Sequence, residues 1–144
     1  MNELRQRAIR LLARREHTRA ELTRKLAPLG TEEEIEAVLA ELAQSGLLSD
    51  ARAASAYVRG NGARFGAARL RQTLRRKGVD SELIEQQLAQ ADLPDEMARA
   101  REIWAKKFAA APQDPREWAR QARFLQGRGF SADVIRRLLK DPMQ

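Results

Sequence analysis

The feature that most constrains this 144-residue chain is how often its helical pattern is cut. Apolar residues recur at spacings of three and four, and each run is soon stopped by a glycine, a proline or a capping residue. Leu4, Ala8, Leu11 and Leu12 make a first segment that ends near Glu16-His17-Thr18. Thr18 caps a second, with Leu22 and Leu26, which Pro28-Leu29-Gly30 terminates. Thr31 and Glu34 have capping-box spacing for a third, carrying Ile35, Val38, Leu39 and Leu42 up to Gly46. The acidic run Glu32-Glu33-Glu34 then sits on the positive end of that helix dipole, which accounts for it without a metal.

The same grammar repeats twice more. Ser49 or Asp50 caps a segment through Tyr57 and Val58, broken at Gly60-Asn61-Gly62. Leu70 and Leu74 anchor the next, which ends at Lys77-Gly78, and Asp80 caps one holding Leu83, Ile84 and Leu88. Asp95 starts a segment with Met97, Ala100, Trp104 and Phe108. Asp114 followed by Pro115 opens another, with Trp118, Ala122 and Leu125, and Ser131 caps the last, with Val134, Ile135, Leu138 and Leu139. Gly78-Val79-Asp80 through Ile84 aligns with Gly129-Phe130-Ser131 through Ile135, and Leu29-Gly30-Thr31 fits the same frame more loosely.

The expected fold is therefore all-α: three tandem three-helix repeats, 1–48, 49–93 and 94–144, stacked into an elongated, curved monomer. A single compact bundle with similar caps is the other arrangement this pattern permits.

Several function classes drop out. There are no cysteines, so disulfides, thiol chemistry and cysteine-held zinc are excluded. No apolar run approaches a membrane span. The start, Met1-Asn2-Glu3-Leu4-Arg5, enters a charged helical pattern at once, so the cytoplasm is the expected compartment. His17, the one histidine, lies at a helix boundary without a nucleophile or orienting partner in sequence and reads as a surface or capping residue. Gly60-Asn61-Gly62 begins like a phosphate loop but lacks its closing Lys-Ser or Lys-Thr. Trp104, Phe108 and Trp118 occupy apolar helical positions and read as core. A small helical enzyme is disfavoured, and neither cofactor nor metal is expected.

Charge carries the functional signal. The net charge is +7, and residues 1–48 hold 8 basic and 8 acidic groups, 49–93 hold 8 and 5, and 94–144 hold 11 and 7. From Arg59 to Lys77 there are seven cations (Arg59, Arg64, Arg69, Arg71, Arg75, Arg76 and Lys77) and no acid. Lacking local ion-pair partners, they suit a partner that supplies negative charge, though a solvated face or a helix-turn-helix module would look similar. Arg120, Arg123, Arg128, Arg136, Arg137 and Lys140 extend the candidate surface into the last repeat. The arginines of the Leu70 segment lie off its apolar stripe and are expected to be dispensable for folding.

Arg64-Phe65-Gly66, Arg69-Leu70, Leu74 and Lys77-Gly78-Val79 resemble the RecX family of recombinase regulators. Gly46-Leu47-Leu48-Ser49-Asp50, Tyr57-Val58, Phe124-Leu125, Arg128-Gly129-Phe130-Ser131 and Ile135 continue the likeness, which runs from Leu4 to Lys140. One departure is Ala53, where the family often has Phe; Tyr57 or a neighbouring helix is expected to fill that space. The resemblance implies a curved monomer of three three-helix repeats that lodges in the groove of the RecA nucleoprotein filament. It further implies inhibition of RecA's ATP hydrolysis, strand exchange and filament growth, with weaker, non-specific binding to single- and double-stranded DNA. The alternative is a helical DNA-binding regulator that acts without RecA.

Overall fold

The structure, a computed structural model, describes residues 2–140. Among the described residues are nine α-helices and no strand. They are α1 (Asn2–Arg14), α2 (Arg19–Leu26), α3 (Glu32–Gln44), α4 (Asp50–Asn61), α5 (Ala67–Arg76), α6 (Ser81–Gln90), α7 (Glu96–Lys107), α8 (Pro115–Gly127) and α9 (Ala132–Leu139). A single 3-10 turn, Ala27–Leu29, follows α2.

The helix starts follow from the capping residues. Thr18 and Thr31 both form full capping boxes, with Glu21 and Glu34 returning the bond to the cap's own N–H. Ser49 Oγ accepts from the Arg52 N–H, and Asp80 Oδ2 from Glu82. Asp95, Asp114 and Ser131 each accept from the backbone N–H three residues on.

The helix stops share one geometry. Gly46, Gly78 and Gly129 have φ of 86°, 86° and 93°, a region that costs any other residue strain. In each case the glycine N–H and the N–H after it fold back onto the last turn. Leu47 reaches the Leu42 carbonyl at 3.0 Å, Val79 the Leu74 carbonyl at 3.0 Å, and Phe130 the Leu125 carbonyl at 3.2 Å. These are Schellman closures, and the three receiving leucines are fully buried. Gly30 departs from this frame: it is extended at φ −170°, and proline tightens the preceding turn instead. The third helix of each repeat nevertheless keeps register. Ile35, Ile84 and Ile135, four residues after their caps, are all buried.

Contacts divide the chain into two compact units: Met1–Tyr57 with Leu74–Gln90, and Val58–Thr73 with Ala91–Gln144. The core of unit 1 is built by Leu4, Ala8, Leu11, Leu22, Leu26, Ile35, Val38, Leu39, Leu42 and Leu48. In unit 2, Ala100, Leu125, Phe130, Val134, Ile135 and Leu139 form the centre, with Met97, Ile103, Trp104, Trp118 and Phe124 packed around it. Trp104 Nε1 donates to Gln121 Oε1 at 2.7 Å, which lets a buried glutamine belong to that core.

One expectation is corrected in unit 1. His17 is not on the surface: it is 2% exposed. Its Nδ1 lies 3.0 Å from the Arg15 carbonyl and its Nε2 3.1 Å from Lys25 Nζ. The tautomer that satisfies both is Nδ1–H donating to the carbonyl and Nε2 accepting from the ammonium. Burial, then the charges of Arg15 and Lys25, lower its pKa against the opposing carbonyl bond and Glu21. Ala53 is itself buried, and Tyr57 lies close by at the rim of an open cavity. That cavity, of about 430 Å³, is bordered by Ala53, Ala56, Tyr57, Thr18, Glu21 and Lys77.

Candidate functional site

The basic residues of the middle repeat are positioned by a joint that occurs once in each unit. In unit 2 the start of α5 meets the end of α8. Gly66 N–H donates to the Arg128 carbonyl at 2.8 Å and Ala68 N–H to the Gly129 carbonyl at 3.2 Å. Free donors at one helix N-terminus thereby satisfy free acceptors at another's C-terminus. The approach is close enough that a Cβ on Gly129 would overlap the Cβ and backbone nitrogen of Arg69. Unit 1 has the counterpart, where the end of α5 meets the start of α2. Thr18 Oγ1 donates to the Lys77 carbonyl, Arg24 to the Arg76 carbonyl at 2.9 Å, and a Cβ on Gly78 would overlap that of Ala20.

Around the unit 2 joint, cations gather on aromatic rings. The guanidinium carbons of Arg69, Arg64 and Arg128 lie 4.4, 5.4 and 5.7 Å from the centroid of Phe65. Arg128 also lies 5.4 Å, and Lys107 Nζ 5.5 Å, from the centroid of Phe124. Phe124 meets Phe108 edge-on at 5.4 Å, and Arg120 sits 5.2 Å over Phe108. Ring quadrupoles thus hold cations in place without neutralising them. Beneath them, buried Arg99 donates to the Pro94 and Phe65 carbonyls at 2.9 and 3.3 Å, fixing the segment that carries Phe65. Burial lowers the Arg99 pKa, opposed by Glu96 and Asp95.

The acid-free sequence stretch is not without partners in three dimensions. Lys77 Nζ lies 3.5 Å from Glu21, which Arg15 also pairs at 3.1 Å. Burial raises the Glu21 pKa, but the Thr18 N–H, Arg15 and Lys77 outweigh it and bring it to about 2. Arg64 donates to the Asn61 side chain, and half-buried Arg71 also has an interaction partner. Arg69 donates to the Gly127 carbonyl at 2.8 Å and packs against Gly129, so it is part of the joint. Arg69 thus touches the joint through its Cβ, its backbone and one guanidinium bond, while the residue as a whole stays exposed.

The remaining nominated residues are dispersed. Arg59, Arg75, Arg76, Arg123 and Lys140 are exposed, the last with φ 53° at the end of α9. Arg120 is held by Glu117 at 2.7 Å, which raises its pKa. Arg136 and Arg137 share Asp133 at 3.8 and 3.6 Å, all three exposed. Lys106 and Lys107 were missed by the sequence reading because they share the α7 segment with Glu102 and are diluted by neighbouring acids. The units also regroup the charge. Unit 1 contains 12 basic and 12 acidic residues, whereas unit 2 contains 15 and 8, so the whole +7 excess falls in unit 2.

Three family models match in tandem: the first three-helix domain of RecX over residues 5–42, the second over 49–97 and the third over 94–139. The chain belongs to the RecX family. A curated relative from Leptothrix cholodnii, "Regulatory protein RecX", is 49% identical over 95% of this chain and 87% of its own length. One of the same name from Chromobacterium violaceum is 50% identical over 94% and 88%. A crystal structure of regulatory protein RecX superposes with a TM-score of 0.82 at 27% identity, covering 97% of this chain and 72% of that one. RecX from Lactobacillus salivarius gives 0.81 at 22% identity over 99% and 96%, a likeness of fold. The RecX assignment makes the chain a member of a family of regulatory proteins with three three-helix domains. Among its described residues no helix is long and apolar enough to cross a membrane.

Proposed function

We propose that this protein regulates the RecA recombinase by lodging in the groove of the RecA–DNA filament, where it suppresses ATP hydrolysis, strand exchange and filament growth. It acts as a cytoplasmic monomer and a non-enzymatic modulator, ATP turnover being RecA's. Membership of the RecX family over almost the whole chain supports the assignment of partner. The observation that carries the mode of binding is the concentration of all the excess positive charge in unit 2. A filament of protein and nucleic acid is strongly anionic, and a +7 surface is steered toward it. Direct contacts to single- or double-stranded DNA are a weaker, sequence-independent part of the same attraction.

The test is DNA-dependent ATP hydrolysis and strand exchange by RecA from the same source, titrated with this protein. Both should slow at substoichiometric to stoichiometric protein. Unchanged rates at several-fold excess would refute the reading. Salt-resistant, sequence-selective DNA binding in their place would make it a DNA-binding regulator acting without RecA.

A further inference from the structure

One surface of unit 2 has a chemistry more specific than positive charge. Beside the α5–α8 joint lies an open cavity of about 350 Å³, lined by Ala63, Arg64, Ile103, Lys106, Lys107, Phe124 and Arg128. Among the described residues its lining holds four cations and no carboxylate. The nearby acid, Glu102, reaches only to 4.0 Å from Lys106, with both side chains more than 70% exposed, a pairing that neutralises little. The floor is apolar: Ala63, Ile103 and Phe124. We propose that this cavity docks an acidic segment of a partner protein, which inserts one apolar side chain onto Ile103 and Phe124 while its flanking carboxylates engage Arg64, Lys107 and Arg128. This goes beyond the RecA assignment, since the chemistry holds whichever protein carries the segment.

The aromatic rings decide between a protein segment and a nucleic-acid strand. Sites that hold single strands use ring faces as stacking platforms for bases. Here Arg64, Arg69 and Arg128 lie over Phe65, and Lys107 and Arg128 over Phe124, all within 5.7 Å of the ring centroids. A base could stack only on ring surface that these cations leave open. A carboxylate can instead bridge the cations where they are, and guanidinium accepts it in a two-bonded geometry. The cations are also pre-arranged. Arg128 sits at the C-cap of α8, and the Arg69 stem is fixed by the Gly127 carbonyl and Gly129. Little ordering remains to be done on binding. The volume lies at the lower end of ligand-sized pockets, enough for one anchoring side chain.

The experiment uses the full-length protein and three fluorescent probes. These are a peptide of about twelve residues with a central Phe among Glu residues, the same peptide with Ser at its centre, and an oligo-dT of similar length. The wild type should bind the Phe peptide about fivefold or more tightly than the Ser peptide, in keeping with burial of one apolar side chain. Lys106→Glu with Lys107→Glu should weaken the Phe peptide about tenfold or more and the oligo-dT by no more than about twofold. Amide shift changes in the wild type, mapped by NMR with the Phe peptide, should centre on Ala63, Ile103, Lys107 and Phe124, a result that does not depend on the variant folding. Equal loss of peptide and oligo-dT would make the cavity a nucleic-acid groove. Indifference to the central Phe, absence of peptide binding, or shifts centred elsewhere would each overturn the proposal. RecA ATPase, read separately, reports on the family function and not on this cavity.

Discussion

In unit 1, Gly78 closes α5 against Ala20 of α2; in unit 2, Gly129 closes α8 against Arg69 of α5. Both glycines have positive φ, both release the following N–H to a buried leucine's carbonyl, and both let one helix end plug another. The surroundings differ. Unit 1 matches its 12 cations with 12 acids, and Glu21 gathers Arg15 and Lys77 around its joint. Unit 2 has a surplus of seven cations and rests those at its joint on phenylalanine rings and backbone carbonyls. One joint thus serves two ends: ion pairing satisfies charge inside unit 1, while cation–π contacts in unit 2 orient charge and leave it available.

The sharpest break of the shared joint is at its glycines. Gly129→Ala adds left-handed strain and a clash with the backbone of Arg69, and should cost about 3–5 kcal/mol in urea unfolding. Gly78→Ala meets only the Ala20 side chain at close range and should cost about 2–4 kcal/mol. Gly46→Ala, with the same φ but open space, should cost only about 1–2 kcal/mol. An equal cost at all three positions would show that strain alone matters and that the helix-end contact does not.

Leu70→Ala and Leu74→Ala each empty a fully buried site, one in each unit, and should each destabilise by about 2–5 kcal/mol. The charge contrast is then read by acid. Glu21 titrates near 2 when folded, below its ordinary 4.5, so its contribution is full above the unfolded value and fades as pH falls toward 2. Glu21→Gln should cost about 2–3 kcal/mol near pH 7 and make stability flatter between pH 5 and 2; an unchanged acid slope would contradict the ion-paired joint. Gln121→Leu, in unit 2, strips Trp104 Nε1 of its acceptor and should cost about 1–3 kcal/mol near pH 7.

Much of this was legible because the caps are local. Thr18, Thr31, Asp95, Asp114 and Ser131 bond to N–H groups three residues away, so short sequence windows contain the whole signal. The Gly78 and Gly129 match was equally readable, since positive φ selects glycine. What escaped were long-range pairings. No window around Lys77 contains Glu21, and none around Arg69 contains Gly127, so an acid-free stretch read as wholly unpartnered. His17 was misplaced although Lys25 is only eight residues away, because its burial depends on how α2 folds back beside it. Counting charge by consecutive blocks gave a graded excess; only the fold, which divides α4 and α5 between two units, gathers it into one.

We propose that unit 2 supplies the contact by which this protein restrains RecA. The most direct measurement is the amount of protein that half-inhibits RecA's DNA-dependent ATPase, compared for exposed charge reversals in each unit. Arg123→Glu with Arg136→Glu, in unit 2, should raise that amount about tenfold or more, while Arg7→Glu with Arg10→Glu, in unit 1, should leave it within about twofold. Inhibition that survives the unit 2 reversal and is lost with the unit 1 reversal, both variants melting like wild type, would contradict the account.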